Sequence, residues 1–336
     1  MKRITFILLT SLSWQFAEAQ DPHFSQFFAS PLTLNPAYTG KFDGILRVAG
    51  NYRNQWPTIN NAFTTATISL DFPILQSSLP EMDTWGVGIM ALTDQSGNKI
   101  MRNNFIGIST AYHKSLDEDG FNEIALGFQG TYASKRLDIS KAQFADQVTD
   151  LGFTNVSQDI FGQGNTNVAY VDFNVGLMYT TTTNGENSIY GGVSYYHISS
   201  PKESFRGADF YLPSRLTIHA GGMFPLDETK SLHGSILFQK QAAASETVLG
   251  GAFSIDVSQD ETEPIQIYAG AWYRVNDAFI PYFGLEFKNL WIGATYDINH
   301  SALRNGSQGR GGNEISLIYV QQPVEKRNRQ TLCPRF

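Results

Sequence analysis

Cysteine is nearly absent from this 336-residue chain. Cys333 is the only one, so neither an intramolecular disulfide framework nor a multi-cysteine metal site can be built. Charged residues make up only 16% of the chain, and they lean acidic. Without residues 1–19, which carry Lys2, Arg3 and Glu18, 22 basic residues face 30 acidic ones, a formal charge of −8. That balance argues against a nucleic-acid partner. Beyond the first twenty residues no apolar run approaches the ~20 residues that a helical span requires, which excludes a helical membrane protein. Catalytic signatures are also missing: there is no G-x-S-x-G elbow, no H-E-x-x-H, no P-loop and no dinucleotide fingerprint. His23, His113, His197, His219, His233 and His300 show no metal-ligand spacing, and no cofactor is implied. Asn299, His300 and Ser301 read as a turn after the strand end at Tyr296-Asp297, because adjacent strand residues point to opposite faces. A hydrolytic site assembled across strands stays open as an alternative.

The first 19 residues are informative. Lys2 and Arg3 precede the apolar run Ile4 to Phe16, which ends at Ala17, Glu18, Ala19, the small-x-small form that signal peptidase accepts. Residues 1–19 therefore read as a cleaved signal peptide, with no cysteine nearby to carry a lipid anchor. The roughly 317 residues that remain would suit two soluble domains or one large one. With 13% aromatics and 30 glycines, the composition is that of an outer-membrane barrel, with a secreted soluble β-protein as the competitor.

Periodicity separates these two. Leu46, Val48 and Tyr52 alternate with Arg47, Ala49, Asn51 and Arg53. Ala66, Ile68, Leu70 and Phe72 oppose Thr65, Thr67, Ser69 and Asp71, and Val171, Phe173, Val175 and Leu177 oppose Asp172, Asn174 and Gly176. Comparable segments cover 85–92, 106–112, 123–132, 189–198, 216–224, 232–240, 247–257, 265–275, 279–287, 290–298 and 314–320. The total is about fourteen strands, an even count as in single-chain bacterial barrels. One face is continuously apolar, while the other carries small, polar and charged residues, among them Arg47, Asp71, Glu123, Asp172, Arg215, Arg274 and Asp297. A soluble sheet would show the reverse. Tyr52, Trp56, Phe72, Trp85, Tyr112, Tyr179, Tyr273, Trp291 and Tyr319 fall near segment ends, as interfacial girdles require. The expected fold is all-β: a transmembrane antiparallel β-barrel over residues 43–320, in the outer membrane.

Two stretches lie outside this pattern. Gln20 to Gly40 interleaves Pro22, Pro31 and Pro36 with Phe24, Phe27, Phe28 and Tyr38, which suits neither a helix nor a central strand. A barrel near fourteen strands is wide enough to need a segment folded into it. Residues 20–42 are accordingly expected to pack against the periplasmic end or the lumen as a plug. The lumen charges either pair into a sealed interior or line a channel for small or apolar solutes. Residues 321–336 form a basic periplasmic tail with Lys326, Arg327, Arg329 and Arg335 against Glu325, suited to lipid head groups or a specific partner. The breaks at Lys135–Thr166 and Ser199–Ser214 and the tight turn Val275–Ala278 would face outward if the first strand rises from the periplasm. Asn184-Gly185 and Asp119-Gly120 fit tight hairpins.

Several of these residues resemble the PorP/SprF family of Bacteroidetes outer-membrane proteins associated with type IX secretion and gliding motility. The opening Gln20, Asp21, Pro22, His23, Phe24, Ser25, Gln26, Phe27, with Asn35, Pro36, Ala37 and Gly40, is similar to that family's signature. So are Tyr196-His197 through Pro201, Lys202, Ser204 and Phe205, the block around Tyr273-Arg274, Asp277-Ala278, Gly284, Tyr296-Asp297 and Ser301, and the ending Cys333, Pro334, Arg335, Phe336. The resemblance implies no catalysis. It implies a barrel that assists secretion or surface retention of an adhesin-type cargo. Partners would be the cargo's C-terminal domain and periplasmic or outer-membrane secretion components.

Overall fold

In lipid, a strand's backbone N–H and C=O groups find partners only in neighbouring strands, so alternating segments must pair until no edge is left. The computed structural model describes residues 21–323, apart from 60–61, 143, 151, 155–156, 158–165, 184–186, 206–208 and 259–263. In it fourteen strands form one closed ring. They are β1 (Leu46–Gln55), β2 (Phe63–Ile74), β3 (Thr84–Ser96), β4 (Met101–Ser115), β5 (Asn122–Leu137), β6 (Asn167–Thr183) and β7 (Asn187–Tyr196). The second half supplies β8 (Arg215–Asp227), β9 (Lys230–Gln241), β10 (Ala244–Asp256), β11 (Ile265–Arg274), β12 (Ala278–Phe287), β13 (Leu290–Asn299) and β14 (Arg310–Gln321). Neighbours in sequence pair antiparallel, and β1 meets β14 from Leu46↔Gln321 to Gln55↔Gly312.

Each strand coincides with one of the alternating segments, but several run further. β4 and β5 continue pairing through Arg102↔Arg136 and Asn103↔Lys135, and Arg136 also faces Asn167 of β6. Apolar marking stops there while the ladder continues, so the pattern read from apolar residues ends too early. Asp119-Gly120 belongs to the six-residue connection 116–121, where Asp117 accepts from the backbone N and the Nδ2 of Asn122 at 3.1 and 2.6 Å. The connection is therefore longer than the tight hairpin expected at Asp119-Gly120, and this side-chain bond closes it. Asn184-Gly185 lies outside the described residues, as do residues 1–20 and the tail from 324 onward.

Strand direction sorts the connections between two ends. The approach to β1, the exit from β14 and the connections 75–83, 116–121 and 288–289 share what we call the terminal end. Connections 138–166, 197–214, 275–277 and 300–309 share the opposite, loop end. Between β5 and β6 the chain makes 3-10 turns at Ile139–Lys141 and Ala145–Gln147 and a two-residue hairpin, Val148–Thr149 against Gly152–Phe153. Glu203 of the β7–β8 connection pairs with Lys135 near the loop end of β5, which ties that connection to the barrel wall.

The outward face carries Ile68, Ile108, Phe128, Phe173 and Phe283, all exposed. The inward face buries Arg47, Asp71, Glu123, Asp172, Arg215, Arg274 and Asp297. Tyr52, Phe72, Trp85, Tyr179, Tyr273 and Tyr319 face outward near strand ends, as a girdle would. Trp291 does not: it is 6% exposed and faces inward with Thr295 and Asp297. Strand parity overrides proximity to the end, and its ring packs in the lumen on Phe28.

Ile108 is the middle residue of β4 and is 68% exposed. Ile108→Lys is expected to cost about 2–4 kcal/mol in lipid, as cations at the midplane of a barrel's outer face do. Urea titration in vesicles would read this as a lowered unfolding midpoint; an unchanged midpoint would mean that this face does not meet lipid.

Candidate functional site

Residues 21–42 cross the lumen from the loop end to the terminal end. Their prolines permit only short pieces of helix: Phe27–Ala29, Pro31–Leu34 and Pro36–Tyr38. Pro31 and Pro36 open the last two, where the missing N–H would have no partner in any case. Asn35 caps the third through its Oδ1, which accepts from Ala37 N at 2.9 Å. Pieces this short leave backbone groups over, and buried groups without partners are costly.

The barrel wall supplies the partners. Glu314 accepts from the backbone N of Ser25 and Gln26 at 2.7 and 3.0 Å. Gln129 Nε2 donates to Leu32 O at 3.1 Å, Tyr196 Oη to Thr33 O at 3.0 Å and Ser194 Oγ to Leu34 O at 2.8 Å. Asn35 Nδ2 donates outward to Leu177 O at 3.1 Å and meets His219 Nε2 at 3.1 Å. Arg47 donates to Tyr38 O and Lys41 O, and Asp71 accepts Gly40 N at 2.7 Å. Gly40 takes φ +77°, which side chains rarely adopt, and lies against Gly86 of β3. Gly127 and Gly176, cross-strand partners in β5 and β6, leave space that a Cβ would take from Pro36, Ala37 and Asn35.

Charge is organised in three groups along this path. At the loop end Asp21 reaches His197 Nε2 at 2.6 Å and Arg215 at 3.1 Å, while His197 Nδ1 lies 2.8 Å from Asp172. Next, Arg53 and Arg274 both pair with Asp297, at 2.8 and 2.9 Å, and both donate to Ser25 Oγ, which in turn donates to Asp297 at 2.8 Å. Arg53 also pairs with Glu314 at 3.2 Å, and Glu246 joins Arg274 to His23, each at 3.1 Å. At the terminal end Arg47 grips Asp71 with two bonds of 3.0 and 2.8 Å. Lys41 and His113 converge there on Glu123 at 2.7 and 3.1 Å.

Apolar contacts fill the space between. Phe28 packs on Trp272, Tyr282 and Trp291 with ring centroids 4.9, 5.8 and 6.3 Å apart. Phe24 and Leu32 pack with Met90 and Leu92, and Tyr38 stacks on His219 at 5.3 Å. Each buried Phe stabilises by roughly 1.5–3 kcal/mol relative to leaving it in water.

Asp21, Pro22, His23, Phe24, Ser25, Gln26, Phe27, Asn35, Pro36 and Gly40 thus lie inside the barrel, next to Arg47, Asp71, Asp172, Arg215, Arg274 and Asp297 of the wall. Arg327, Arg329, Cys333, Pro334, Arg335 and Phe336 lie outside the described residues. Sequence reading missed Arg53, Glu246, Glu314, His113 and His219 as partners. Parity was the available signal: Arg53 shares the inward face with Arg47, and His219 with Arg215 and Thr217. Asn299 and Ser301 both donate to Asp277, and His300 stacks on Tyr273 at 5.4 Å, so the three residues build a turn.

Removing one member of a buried network leaves its partners uncompensated. Arg53→Met is therefore expected to destabilise the barrel by about 3–5 kcal/mol, read as a lower unfolding midpoint in detergent. At the loop end, burial alone would lower the pKa of His197, but Asp21 and Asp172 outweigh it and hold the imidazole up at about 9. Burial would raise Asp21, and His197 and Arg215 hold it well below the usual carboxylate range instead. The imidazolium contribution is fully present below the free histidine value of ~6.5 and is lost as pH rises through about 9. The carboxylate contribution is present above the usual Asp value and is lost only in strong acid. Hydrogen exchange of amides 21–30, corrected for intrinsic rates, should accelerate between pH 8 and 10 in the native protein and show no such step in His197→Gln; a flat native profile would refute the linkage.

No curated protein matches the chain. Among solved structures it is similar to the toluene transporter TbuX of Ralstonia pickettii, at 11% identity and TM-score 0.49, over 88% of this chain and 94% of that one. It is also similar to a FadL homologue of Pseudomonas aeruginosa, at 12% identity and TM-score 0.45, over 85% and 92%. Likenesses this distant say nothing of ligand or activity. The family described as "Type IX secretion system membrane protein PorP/SprF" matches residues 16–319, well over half of the sequence. The chain therefore belongs to the PorP/SprF family of type IX secretion system membrane proteins, built as an outer-membrane β-barrel.

Proposed function

We propose that this barrel is a non-catalytic component of the type IX secretion and gliding machinery that assists export or surface anchoring of a cognate adhesin-type cargo through the cargo's C-terminal domain. The observation that carries this reading is the occupied lumen: residues 21–42 are held by buried charge at the loop end and at the terminal end. With this segment across the lumen, the surfaces left for work are the two ends. On this reading the terminal end faces the periplasm, residues 1–19 are removed as a signal peptide, and Arg327, Arg329 and Arg335 meet secretion components or outer-membrane lipid. The loop end faces outward, where the 138–166 and 197–214 connections expose Val148, Phe153, Phe210 and Tyr211 to a cargo domain.

A second reading, a channel for small or apolar solutes, draws on a cavity of about 500 Å³ at the terminal end of the lumen. Two measurements separate the readings. Purified in mild detergent, the barrel should retain an adhesin-type cargo or type IX components, and should lose cargo when 144–154 and 209–211 are replaced by Gly-Ser. In planar bilayers it should conduct only after residues 21–42 are deleted. Steady conductance of the intact barrel, with no co-purifying partner, would favour the channel.

A further inference from the structure

We propose that Arg102 and Arg136 form a site on the outer wall of the barrel, at the loop end, for a phosphate-bearing lipid head group. This requires the barrel to lie in a membrane but is independent of which cargo it serves. The two arginines are cross-strand partners in β4 and β5, and both are exposed. Strand parity turns them to the lipid side, because Ile106 and Ile108 of β4 and Phe128 and Tyr132 of β5 share their faces and are exposed. Residues directly opposite have Cβ atoms ~5 Å apart, a separation at which like charges repel. Among the described strand pairings, no other joins two Lys or Arg residues. Neighbouring rows show where on the wall the pair stands. Across β3 to β6, Ala91, Ile106, Tyr132 and Val171 form an apolar row; towards the loop end come Thr93, Asn104, Ser134 and Ala169, and then Gln95, Arg102, Arg136 and Asn167. The wall thus passes from apolar through uncharged to cationic over about 13 Å of strand, as a bilayer passes from hydrocarbon to head group.

Nearby carboxylates are engaged elsewhere. Asp138, the closest in sequence to Arg136, accepts from Ser140 at 2.6 Å and pairs with Lys141 at 3.5 Å. Asp94 is buried on the inward face, where it accepts from Thr65 at 2.6 Å, and Glu203 is taken by Lys135. Among the described residues, neither Arg102 nor Arg136 has a carboxylate within 4 Å, and the turn between β3 and β4 adds the exposed Lys99. Two facing guanidiniums present planar forks of donors with no acceptor between them. One phosphate can accept from both forks, and its charge removes the repulsion between them. A carboxylate could meet the same donors, but it would have to arrive from solution at a wall bordered by lipid, whereas phosphate is already present in the head groups at this level. With the loop end outward, the lipid belongs to the outer leaflet.

The test titrates the full-length barrel, in a neutral detergent, with diphosphoryl lipid A and counts bound lipid by native mass spectrometry. Replacing both arginines, Arg102→Gln with Arg136→Gln, should weaken binding about tenfold. Lysine at both positions keeps the charge but loses the planar fork, and should recover part of the affinity. Lys240→Gln removes an exposed outward cation at the same end, one that faces Leu216 and Ser245 rather than a second cation, and should leave binding unchanged. None of these side chains belongs to the lumen network, so every variant should keep its folded mobility on gels. Lipid A stripped of its phosphates should bind the native barrel about tenfold more weakly, a comparison that needs no variant. Excess inorganic phosphate should not displace lipid A; displacement would assign the site to free phosphate and overturn the lipid as its occupant. Equal binding of lipid A by the native and doubly substituted barrels, or equal binding of its phosphorylated and stripped forms, would overturn the proposal.

Discussion

Arg53 and Arg274 point from β1 and β11 into the interior and are buried there, where a guanidinium without a counter-charge would cost several kcal/mol. Asp297 answers both, and Glu314 and Glu246 answer one each. These five groups come from five strands spread over the chain, so their pairing exists only when the ring is closed. Ser25 sits at their centre, donating to Asp297 and accepting from both arginines. The wall network is therefore built around a residue of the N-terminal segment, and neither is complete alone.

The same reciprocity recurs along the lumen. The segment's short helical pieces leave carbonyls that Gln129, Ser194 and Tyr196 fill, and glycines in β3, β5 and β6 give its backbone room. Both ends of the segment are held by charge, and Phe24, Phe27 and Phe28 bury themselves between these anchors. Such an element is too well partnered to leave the lumen without a large cost in unpaired charge. A strand count wide enough for a pore is thereby turned into an interior occupied by this segment, with two differentiated ends. One end carries the long connections, and the other carries both the entrance to β1 and the exit from β14.

The terminal end has its own chemistry. Its cavity combines an aromatic floor with carboxylates, at the place where β14 releases a run of basic and apolar residues. The loop end instead exposes apolar side chains on two long connections, one of them tied to β5 by an ion pair. This asymmetry is the physical basis for assigning different partners to the two sides.

Much of this architecture was legible in the residues alone. A side-chain period of two, with apolar residues on one face and charge on the other, admits few solutions besides a closed sheet in lipid, and the fourteen segments follow from it. The prolines and phenylalanines of residues 20–40 likewise ruled out a regular element and demanded cover. Parity also placed Arg47, Asp71, Asp172, Arg274 and Asp297 on one face. It could not say that Arg53 and Arg274, 221 positions apart, would share Asp297 and Ser25. Nor did it reveal that the opening segment travels through the lumen to meet His197 and Arg215, or that Trp291 leaves the girdle for the interior. Faces are set by local backbone geometry and can be read from neighbours in the chain. Partners across a lumen are set by ring closure, which brings strands together irrespective of their distance in sequence, and only the tertiary structure decides them.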